Sequence, residues 1–206
     1  MYTIIEDCSP YYIRFKWEGL QEVIDFISAN AELESSVPSG GYSTDKLPYD
    51  TASKINEMLP FNKEIALQLK RFWIFTTYPD GGSGIHKDSS NHRMSINIPL
   101  QILDDKCTTT WYSDEIFKDT KISNTFDTEQ QGIRTRNVLQ DWHVPSDYPI
   151  LKTFTARADE AVLLNTEIWH NFWNKDSTNT RKILTMRVKD PGNFYFDDAK
   201  KVLFGI

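Results

Sequence analysis

The sequence predicts an α+β domain that is mainly β, with a sandwich or barrel at its centre. Apolar residues recur at helical spacing in the first third of the chain, whereas short aromatic and β-branched segments separated by turns follow after residue 70. With 206 residues, 39% of them hydrophobic, the chain fits a single domain over 1–206. We expect a helical N-terminal support over 1–70 and a β-rich core over 71–190.

Three helices are predicted in the N-terminal part. The first has four apolar residues at the i, i+3, i+4, i+7 spacing of an amphipathic helix: Leu20, Val23, Ile24 and Ile27. Shorter helical patterns cover 53–59 and 63–70. Between them, 35–48 is rich in Ser, Pro and Gly, which predicts a loop.

Strands dominate the remainder of the chain. They are predicted over 72–78, 94–100, 107–112, 151–156, 161–165 and 183–188. A turn at 103–106 predicts that 94–100 and 107–112 form an antiparallel pair. The polar stretch 113–149 shows no clear period and is predicted to be a long loop, of the kind that usually serves function.

Charge and cysteine content restrict the possible partners. The chain has 23 Lys and Arg against 29 Asp and Glu, a net charge of -6, which disfavours nucleic acid as a partner. Cys8 and Cys107 show no metal-binding spacing and are interpreted as reduced thiols. Because the N-terminus lacks the pattern of a signal peptide and no apolar run reaches membrane-spanning length, we expect a cytoplasmic protein.

Three residues form a candidate metal site. His86 and Asp88 project from the same face of an extended segment, and His170 follows the apolar strand 161–165. Two histidines and one carboxylate leave three open positions on an octahedral ferrous ion, enough for a bidentate co-substrate and dioxygen. The alternative for His86-Lys-Asp88 is a solvated turn that binds no metal. The alternative for His170 is a histidine that makes an ordinary hydrogen bond at the end of a strand.

Two arginines on the last predicted strand are candidate anion ligands. Arg181 and Arg187 share one face of a strand, and a buried arginine is costly unless it meets an anion. Their Cα atoms would lie about 20 Å apart, so both could bind one short dicarboxylate only by leaning towards each other. The alternative for Arg187 is exposure to solvent or a pair with a protein carboxylate.

The order and spacing of these motifs resemble those of the 2-oxoglutarate/Fe(II)-dependent oxygenases. His86-x-Asp88, the distal His170 and Arg181 eleven residues later are similar to the facial triad and co-substrate arginine of that family. The lead-in Tyr78-Pro-Asp-Gly-Gly-Ser-Gly-Ile-His86 and the strand Arg93-Met-Ser-Ile-Asn-Ile-Pro-Leu100 also resemble family segments. The resemblance covers about residues 72–190.

This resemblance implies a double-stranded β-helix, or jelly roll, with N-terminal helices packed on it. It implies Fe(II) bound by His86, Asp88 and His170, and 2-oxoglutarate held by Arg181 with hydrogen bonds from Thr76 and Tyr78. Arg187 is a further candidate for the co-substrate, because an Arg-x5-Arg pair resembles that of the alkylated-nucleic-acid demethylases. The implied activity is hydroxylation of a C–H bond in a peptide side chain or small metabolite, with O₂ consumed and succinate and CO₂ released.

Two other functions stay open at this point. A non-catalytic cupin-like binding protein would keep the shape and the metal without turnover, and a nucleic-acid demethylase would need a basic groove around the pocket.

Three further residues have less specific surroundings. His92 is expected in an exposed loop, His143 lies in the 113–149 loop, and Arg93 either enters the pocket or pairs with a surface carboxylate.

Overall fold

The protein consists of two antiparallel sheets with helices on one side. The structure, a computed structural model, describes residues 2–30, 42–61, 69–88, 93–117, 122–129, 132–139, 149–188 and 194–206. The strands are β1 (Tyr2–Cys8), β2 (Tyr12–Trp17), β3 (Tyr42–Lys46), β4 (Leu69–Thr77), β5 (His86–Lys87), β6 (Met94–Gln101), β7 (Cys107–Tyr112), β8 (Ile122–Glu129), β9 (Gly132–Leu139), β10 (Ile150–Thr155), β11 (Ala161–Asn165), β12 (His170–Asn174) and β13 (Arg181–Val188). The helices are α1 (Leu20–Asn30), α2 (Tyr49–Met58) and α3 (Phe196–Phe204), with a short 3-10 helix at Asp114–Phe117.

The large sheet has seven strands in the order β1-β2-β11-β6-β13-β4-β3, and the small sheet six in the order β10-β7-β12-β5-β9-β8. Of the eight core strands, β4, β6, β11 and β13 belong to the large sheet and β5, β7, β10 and β12 to the small one. The chain changes sheet from each of these strands to the next except from β7 to β10, which pair with each other in the small sheet. The two sheets lie face to face.

The main core lies on the outer face of the large sheet. Because side chains alternate along a strand, every second residue of β4, β6 and β13 points to the helices. Ile74, Ile96 and Leu184 are fully buried there together with Val23 and Ile27 of α1. The prediction of α1 is therefore confirmed, because its buried residues are the four apolar residues that the helical spacing identified. They form the apolar stripe that packs this helix on the sheet.

A smaller cluster joins the two sheets at one end. Tyr12 of the large sheet stacks on Trp111 of the small sheet with ring centroids 5.6 Å apart, and Phe154 packs on Tyr12 at 4.9 Å. Val162 and Leu164 complete this contact from β11. The cluster closes one side of the space between the sheets and leaves the rest as a pocket.

Three predictions about the elements are wrong. Segments 94–100 and 107–112 form β6 and β7 as strands but do not pair with each other, because they lie in different sheets. The predicted 113–149 loop contains the β8–β9 hairpin. The N-terminal part is not purely helical, since β1 and β2 join the large sheet through β11, and β3 lies at its far edge inside the segment predicted as a loop.

Most of the remaining predictions about elements are confirmed, but the third predicted helix is wrong at the two positions that the structure describes. The second predicted helix is α2, and the strand predictions over 72–78, 151–156, 161–165 and 183–188 correspond to β4, β10, β11 and β13. Most of the third predicted helix, 63–70, lies outside the described residues, and its last two positions belong to β4. Within the described part of the chain, no helix combines the length and the apolar character needed to cross a membrane.

Candidate metal centre

A tight turn delivers the first two candidate ligands. The Gly81 N–H donates to the Tyr78 carbonyl at 2.9 Å, and Asp80 adopts a positive φ of 54°. Gly82 then forms an isolated bridge with Trp173 of β12. A Cβ at Gly82 would lie 2.4 Å from the backbone oxygen of Phe172, so the close approach of the two backbones requires glycine.

The strand pairing brings His86 and His170 together. The two residues are directly opposite in the antiparallel pair of β5 and β12, and their ring centroids are 4.6 Å apart. Both side chains are buried, at 6% and 7% exposure. Their separation of 84 positions in the sequence is thus no obstacle to a shared site.

Backbone carbonyls determine the tautomers of both rings. Nδ1 of His86 lies 2.8 Å from the Gly84 oxygen, and Nδ1 of His170 lies 2.8 Å from the Ile168 oxygen. A carbonyl can only accept, so each Nδ1 carries a proton and donates it, and each neutral ring presents an unprotonated Nε2. This is the arrangement by which metal-binding histidines are oriented.

Asp88 supplies the carboxylate. Its backbone N–H donates to the Thr166 carbonyl at 3.1 Å, which ties the end of β5 to the segment before His170. Its Oδ1 lies 3.6 Å from Nε2 of His86, and its Oδ2 lies 3.2 Å from Nη2 of Arg187. Candidate ligand atoms of His86, Asp88 and His170 all lie within 4.8 Å of one another. The predicted triad is therefore assembled in space, and its donor set suits a divalent transition metal.

Arg181 lies in the same pocket, deeply buried. Its exposure is 6%, its Nε has no hydrogen-bond partner, and no described carboxylate forms an ion pair with it. Burial lowers the pKa of the Arg181 guanidinium, which measures the cost of holding this cation out of water. An anion bound here would remove that cost.

Arg187 contacts the predicted metal ligand Asp88, and its role in binding the co-substrate stays a prediction. Its guanidinium pairs with Asp88, and its Cζ lies 5.5 Å from the ring centroid of Phe75. The alternative interpretation, a pair with a protein carboxylate, is the one observed. Asp88 is itself a predicted metal ligand, so the Arg187 side chain contacts the triad directly.

Strand alternation separates the remaining predicted residues. Thr77 lines the pocket, whereas Thr76 and Tyr78 are not among the lining residues. Thr77 is directly opposite Arg181 in the pairing of β4 with β13, and the next residue back, Thr76, points to the other face. Thr77 is therefore the residue at this end of β4 that faces the pocket, and hydrogen bonds from Thr76 and Tyr78 to the co-substrate stay predictions.

Arg93 lies near the site but outside the pocket. It stacks on the Tyr195 ring at 4.3 Å and lies 3.6 Å from Glu167, which agrees with the predicted pair with a carboxylate. His92 and His143 fall outside the described residues.

The pocket between the sheets has an open volume of about 560 Å³, part of it continuous with solvent. Its polar lining comes from alternate residues of neighbouring strands, which sequence reasoning did not identify: Ser95, Asn97, Thr109, Thr166 and Thr185. Oδ1 of Asn97 is buried without a hydrogen-bond partner. Because side chains alternate along a strand, Thr185 lies on the same face as Arg181 and could have been predicted to line the pocket. The alternation in 94–100 could have predicted the same for Asn97.

Comparisons with known proteins agree with this fold. No family model matches the chain, and no curated protein matches it by sequence. Among solved structures it is similar to an oxidoreductase of the 2OG-Fe(II) oxygenase family from Burkholderia pseudomallei, with a TM-score of 0.53 and 12% identity over 88% of this chain and 85% of that one.

Two further structures are similar at the same level. The non-heme alpha ketoglutarate dependent epimerase SnoN from nogalamycin biosynthesis has a TM-score of 0.51 and 14% identity, covering 87% of this chain and 78% of that one. Iron-bound HygX from Streptomyces hygroscopicus has a TM-score of 0.51 and 13% identity, covering 85% and 81%. The chain therefore has the fold of the 2-oxoglutarate/Fe(II)-dependent oxygenases, as its motifs indicated.

Proposed function

We propose that the protein is an Fe(II)- and 2-oxoglutarate-dependent dioxygenase that hydroxylates a C–H bond of a small molecule or a peptide side chain. The observation that carries the proposal is the buried His86–Asp88–His170 cluster in the same pocket as Arg181, a buried cation with no carboxylate partner among the described residues. A metal site and an anion site in one pocket are what a keto acid with a distal carboxylate needs.

The residues present fit these groups. Each Nδ1 donates to a carbonyl, so in the neutral form of each ring Nε2 is the atom that can bind a metal, and Oδ1 of Asp88 lies 3.6 Å from Nε2 of His86. We assign His86, Asp88 and His170 as iron ligands and Arg181 as the residue that binds the distal carboxylate of 2-oxoglutarate. When bound, iron and 2-oxoglutarate supply the oxidising chemistry, with O₂ as the oxidant and succinate and CO₂ as co-products.

The chain's own residues prepare the site for that chemistry. Arg181 would neutralise the distal carboxylate and so fix the orientation of the co-substrate, because a guanidinium matches a carboxylate with two parallel hydrogen bonds. Arg187 pairs with Oδ2 of Asp88 and so orients this carboxylate. Thr77 lies opposite Arg181 and is positioned to donate a hydrogen bond at the Arg181 end of the pocket. The contact of Tyr12 with Trp111 packs the two sheets together at one end of the core.

The strand order supports the finer description of the fold. Eight strands are divided between the sheets as β4-β13-β6-β11 in one and β5-β12-β7-β10 in the other, and the chain changes sheet from each to the next except from β7 to β10. We infer that they form a double-stranded β-helix, and that 1–206 is one domain whose N-terminal elements and α3 support this core.

The test is an anaerobic titration with Fe(II) and 2-oxoglutarate. We expect the weak visible charge-transfer band of the ternary complex, followed by succinate release when O₂ and a substrate are supplied. A band without succinate from any small molecule or peptide would favour the binding-protein alternative. The absence of any band with folded protein would contradict the proposal.

A further inference from the structure

A buried amide on the inner face of the large sheet has an unsatisfied polar atom. Asn97, in the middle of β6, lines the pocket and is 9% exposed. Its Oδ1 is buried and accepts no hydrogen bond from the part of the chain that the structure describes. A buried polar atom without a hydrogen bond destabilises a folded protein. The amide is therefore a candidate for binding a ligand rather than for holding the fold together.

The amide of Asn97 meets the pocket through its nitrogen. Because Oδ1 is buried, Nδ2 is the polar atom of this side chain that can reach a ligand in the pocket. An amide nitrogen donates hydrogen bonds and cannot accept them. A ligand at this point must offer an acceptor, and a carboxylate, whose oxygens only accept, meets this requirement.

The strand register places Asn97 close to the metal end of the pocket. Asn97 is directly opposite Thr185 in the pairing of β6 with β13, and both line the pocket. At the usual rise along a strand, the Cα atom of Thr185 lies about 13 Å from that of Arg181 and about 7 Å from that of Arg187. Since Arg187 contacts Asp88, the position of Asn97 and Thr185 is nearer to the metal ligands than to Arg181.

A keto acid that reaches from the metal to Arg181 must pass this position. Its distal carboxylate is assigned to Arg181, so the carboxylate beside the keto group lies at the metal end. That carboxylate is buried as well, and the oxygen that it does not give to the metal needs a hydrogen-bond donor. Arg187 already contacts Asp88, whereas the Asn97 amide and the Thr185 hydroxyl are neutral donors on the adjoining pocket wall.

Resting on the proposed function, we infer that Asn97 and Thr185 bind the carboxylate at the keto end of 2-oxoglutarate, with Nδ2 and the hydroxyl as donors. We call these two residues the amide–hydroxyl pair. The pair and Arg181 thus recognise opposite ends of the same molecule. The unsatisfied Oδ1 is a cost to the free protein that ligand binding through Nδ2 offsets.

The first experiment measures 2-oxoglutarate binding by calorimetry to protein loaded anaerobically with Fe(II). Asn97→Leu removes the amide at similar size and should raise the dissociation constant of 2-oxoglutarate by about 10-fold. The dissociation constant of Fe(II) should stay unchanged, because Asn97 is not a metal ligand. The free energy of unfolding of the free protein should be unchanged or higher, because the unsatisfied Oδ1 is gone. A loss of stability that accounts for the weaker binding would indicate a structural residue and overturn the inference.

A second variant tests whether position 97 donates. Asn97→Asp keeps the shape of the side chain and replaces its donating nitrogen with an oxygen. At pH 8 it should bind 2-oxoglutarate at least about 100-fold more weakly than the original protein, because two carboxylates then face each other. If the ligand instead donated to this position, the variant would bind as tightly as the original protein, and that result would overturn the inference.

Threonine variants on two strands provide a matched control. Thr185→Val removes the second donor and should weaken 2-oxoglutarate by about 5-fold. Thr110→Val should leave the affinity unchanged, because Thr110 is buried but does not line the pocket, and its hydroxyl lies 3.3 Å from that of Thr153. Equal weakening by the two variants would overturn the assignment of Thr185.

The charge-transfer band distinguishes the two ends of the co-substrate. At saturating 2-oxoglutarate, the band maximum should shift in Asn97→Leu and stay in place in Arg181→Gln, because only Asn97 contacts the metal-bound end. A shift in Arg181→Gln alone would reverse the assignment of the two ends and overturn the inference.

The failure of this inference is distinguishable from that of the proposed function. A normal band in the original protein, with the same 2-oxoglutarate affinity in Asn97→Leu, would reject the amide–hydroxyl pair and keep the oxygenase. No band, with 2-oxoglutarate bound in an Asn97-dependent way, would reject the oxygenase and keep the pair as part of an anion site. Neither a band nor binding in the original protein would reject both.

Discussion

Nη2 of Arg187 lies 3.2 Å from Oδ2 of Asp88, and the two side chains are exposed by only 10% and 1%. The pair joins the end of β13 to the end of β5, so the large sheet orients a ligand carried by the small one. With Oδ2 directed to Arg187, Oδ1 is the oxygen on the side of His86. A buried ion pair of this kind is costly to break, because the remaining partner keeps an uncompensated charge.

Replacing Arg187 should therefore weaken metal binding more than it weakens binding of the co-substrate. We expect Arg187→Gln to lower the affinity for Fe(II), or for Co(II) as a spectroscopic probe, by about 10- to 100-fold, the usual cost of losing a group that orients a ligand. Arg187→Lys should recover part of the affinity. The metal dissociation constant and the Co(II) absorption spectrum are the measurements, and an unchanged spectrum in Arg187→Gln would exclude the positioning role.

Removal of one imidazole should abolish the metal complex. His170→Ala loses one of two Nε2 ligands, so the charge-transfer band with Fe(II) and 2-oxoglutarate should disappear while the circular dichroism spectrum is retained. His143→Ala, which removes a histidine outside the predicted ligand set, is the control. Retention of an unchanged band in His170→Ala would contradict the ligand assignment.

Arg181→Gln should raise the dissociation constant of 2-oxoglutarate by about 30-fold or more, because the distal carboxylate loses its charged partner in a buried site. The stability of the free protein should change little or increase, since burial lowers the pKa of this cation and its removal relieves that cost. Lys182→Gln, one residue along on the opposite face of β13, is the matched control. Equal losses of stability and of 2-oxoglutarate binding in Arg181→Gln would indicate a structural arginine.

Gly82→Ala should both destabilise the protein and weaken metal binding. The added Cβ would meet the Phe172 backbone oxygen at 2.4 Å, so β12, which carries His170, would have to move away. Overpacking of this kind costs about 1–3 kcal/mol. Chemical denaturation and a metal titration on the same variant test the prediction. Gly205→Ala is the control for the metal titration, because its positive φ strains the backbone but no atom lies within 4 Å of its added Cβ.

Alkaline conditions should destabilise the protein through Tyr112. Burial raises the pKa of Tyr112 to about 12, and in the folded protein its hydroxyl donates to Oδ1 of Asn171 at 3.1 Å. Between pH 10 and 12 the unfolded chain loses this proton while the folded chain keeps it, so the free energy of unfolding falls as pH rises, by up to about 1.4 kcal/mol per pH unit.

Burial also raises the pKa of Tyr2 and Tyr12, so the relevant measurement is a difference between proteins. Denaturant unfolding of the original protein and of Tyr112→Phe should give curves that differ by a constant below pH 10 and converge above it. Parallel curves up to pH 12 would show that Tyr112 titrates normally in the folded protein.

The local patterns in the sequence were strong enough to predict α1 and most strands of the core, because apolar periodicity reflects which face of an element is buried. The strands β1 and β3 were missed, since they lie at sheet edges and do not show a clean alternation. The strand β2 was missed although Ile13, Phe15 and Trp17 alternate with two basic residues. The pairing of 94–100 with 107–112 was wrong for another reason. A short turn between strands indicates a hairpin, but here the chain crosses from one sheet to the other.

The sequence by itself determined the chemistry: two histidines, one carboxylate and a strand with two arginines have the order and spacing of an iron and 2-oxoglutarate site. Only the tertiary structure decided which of these side chains meet. The registers of β5 with β12 and of β13 with β4 set His86 against His170, turn Thr77 rather than Thr76 to the pocket, and bring Arg187 to Asp88. Pairing between distant strands depends on the whole fold, because a shift of one residue reverses the face of every side chain.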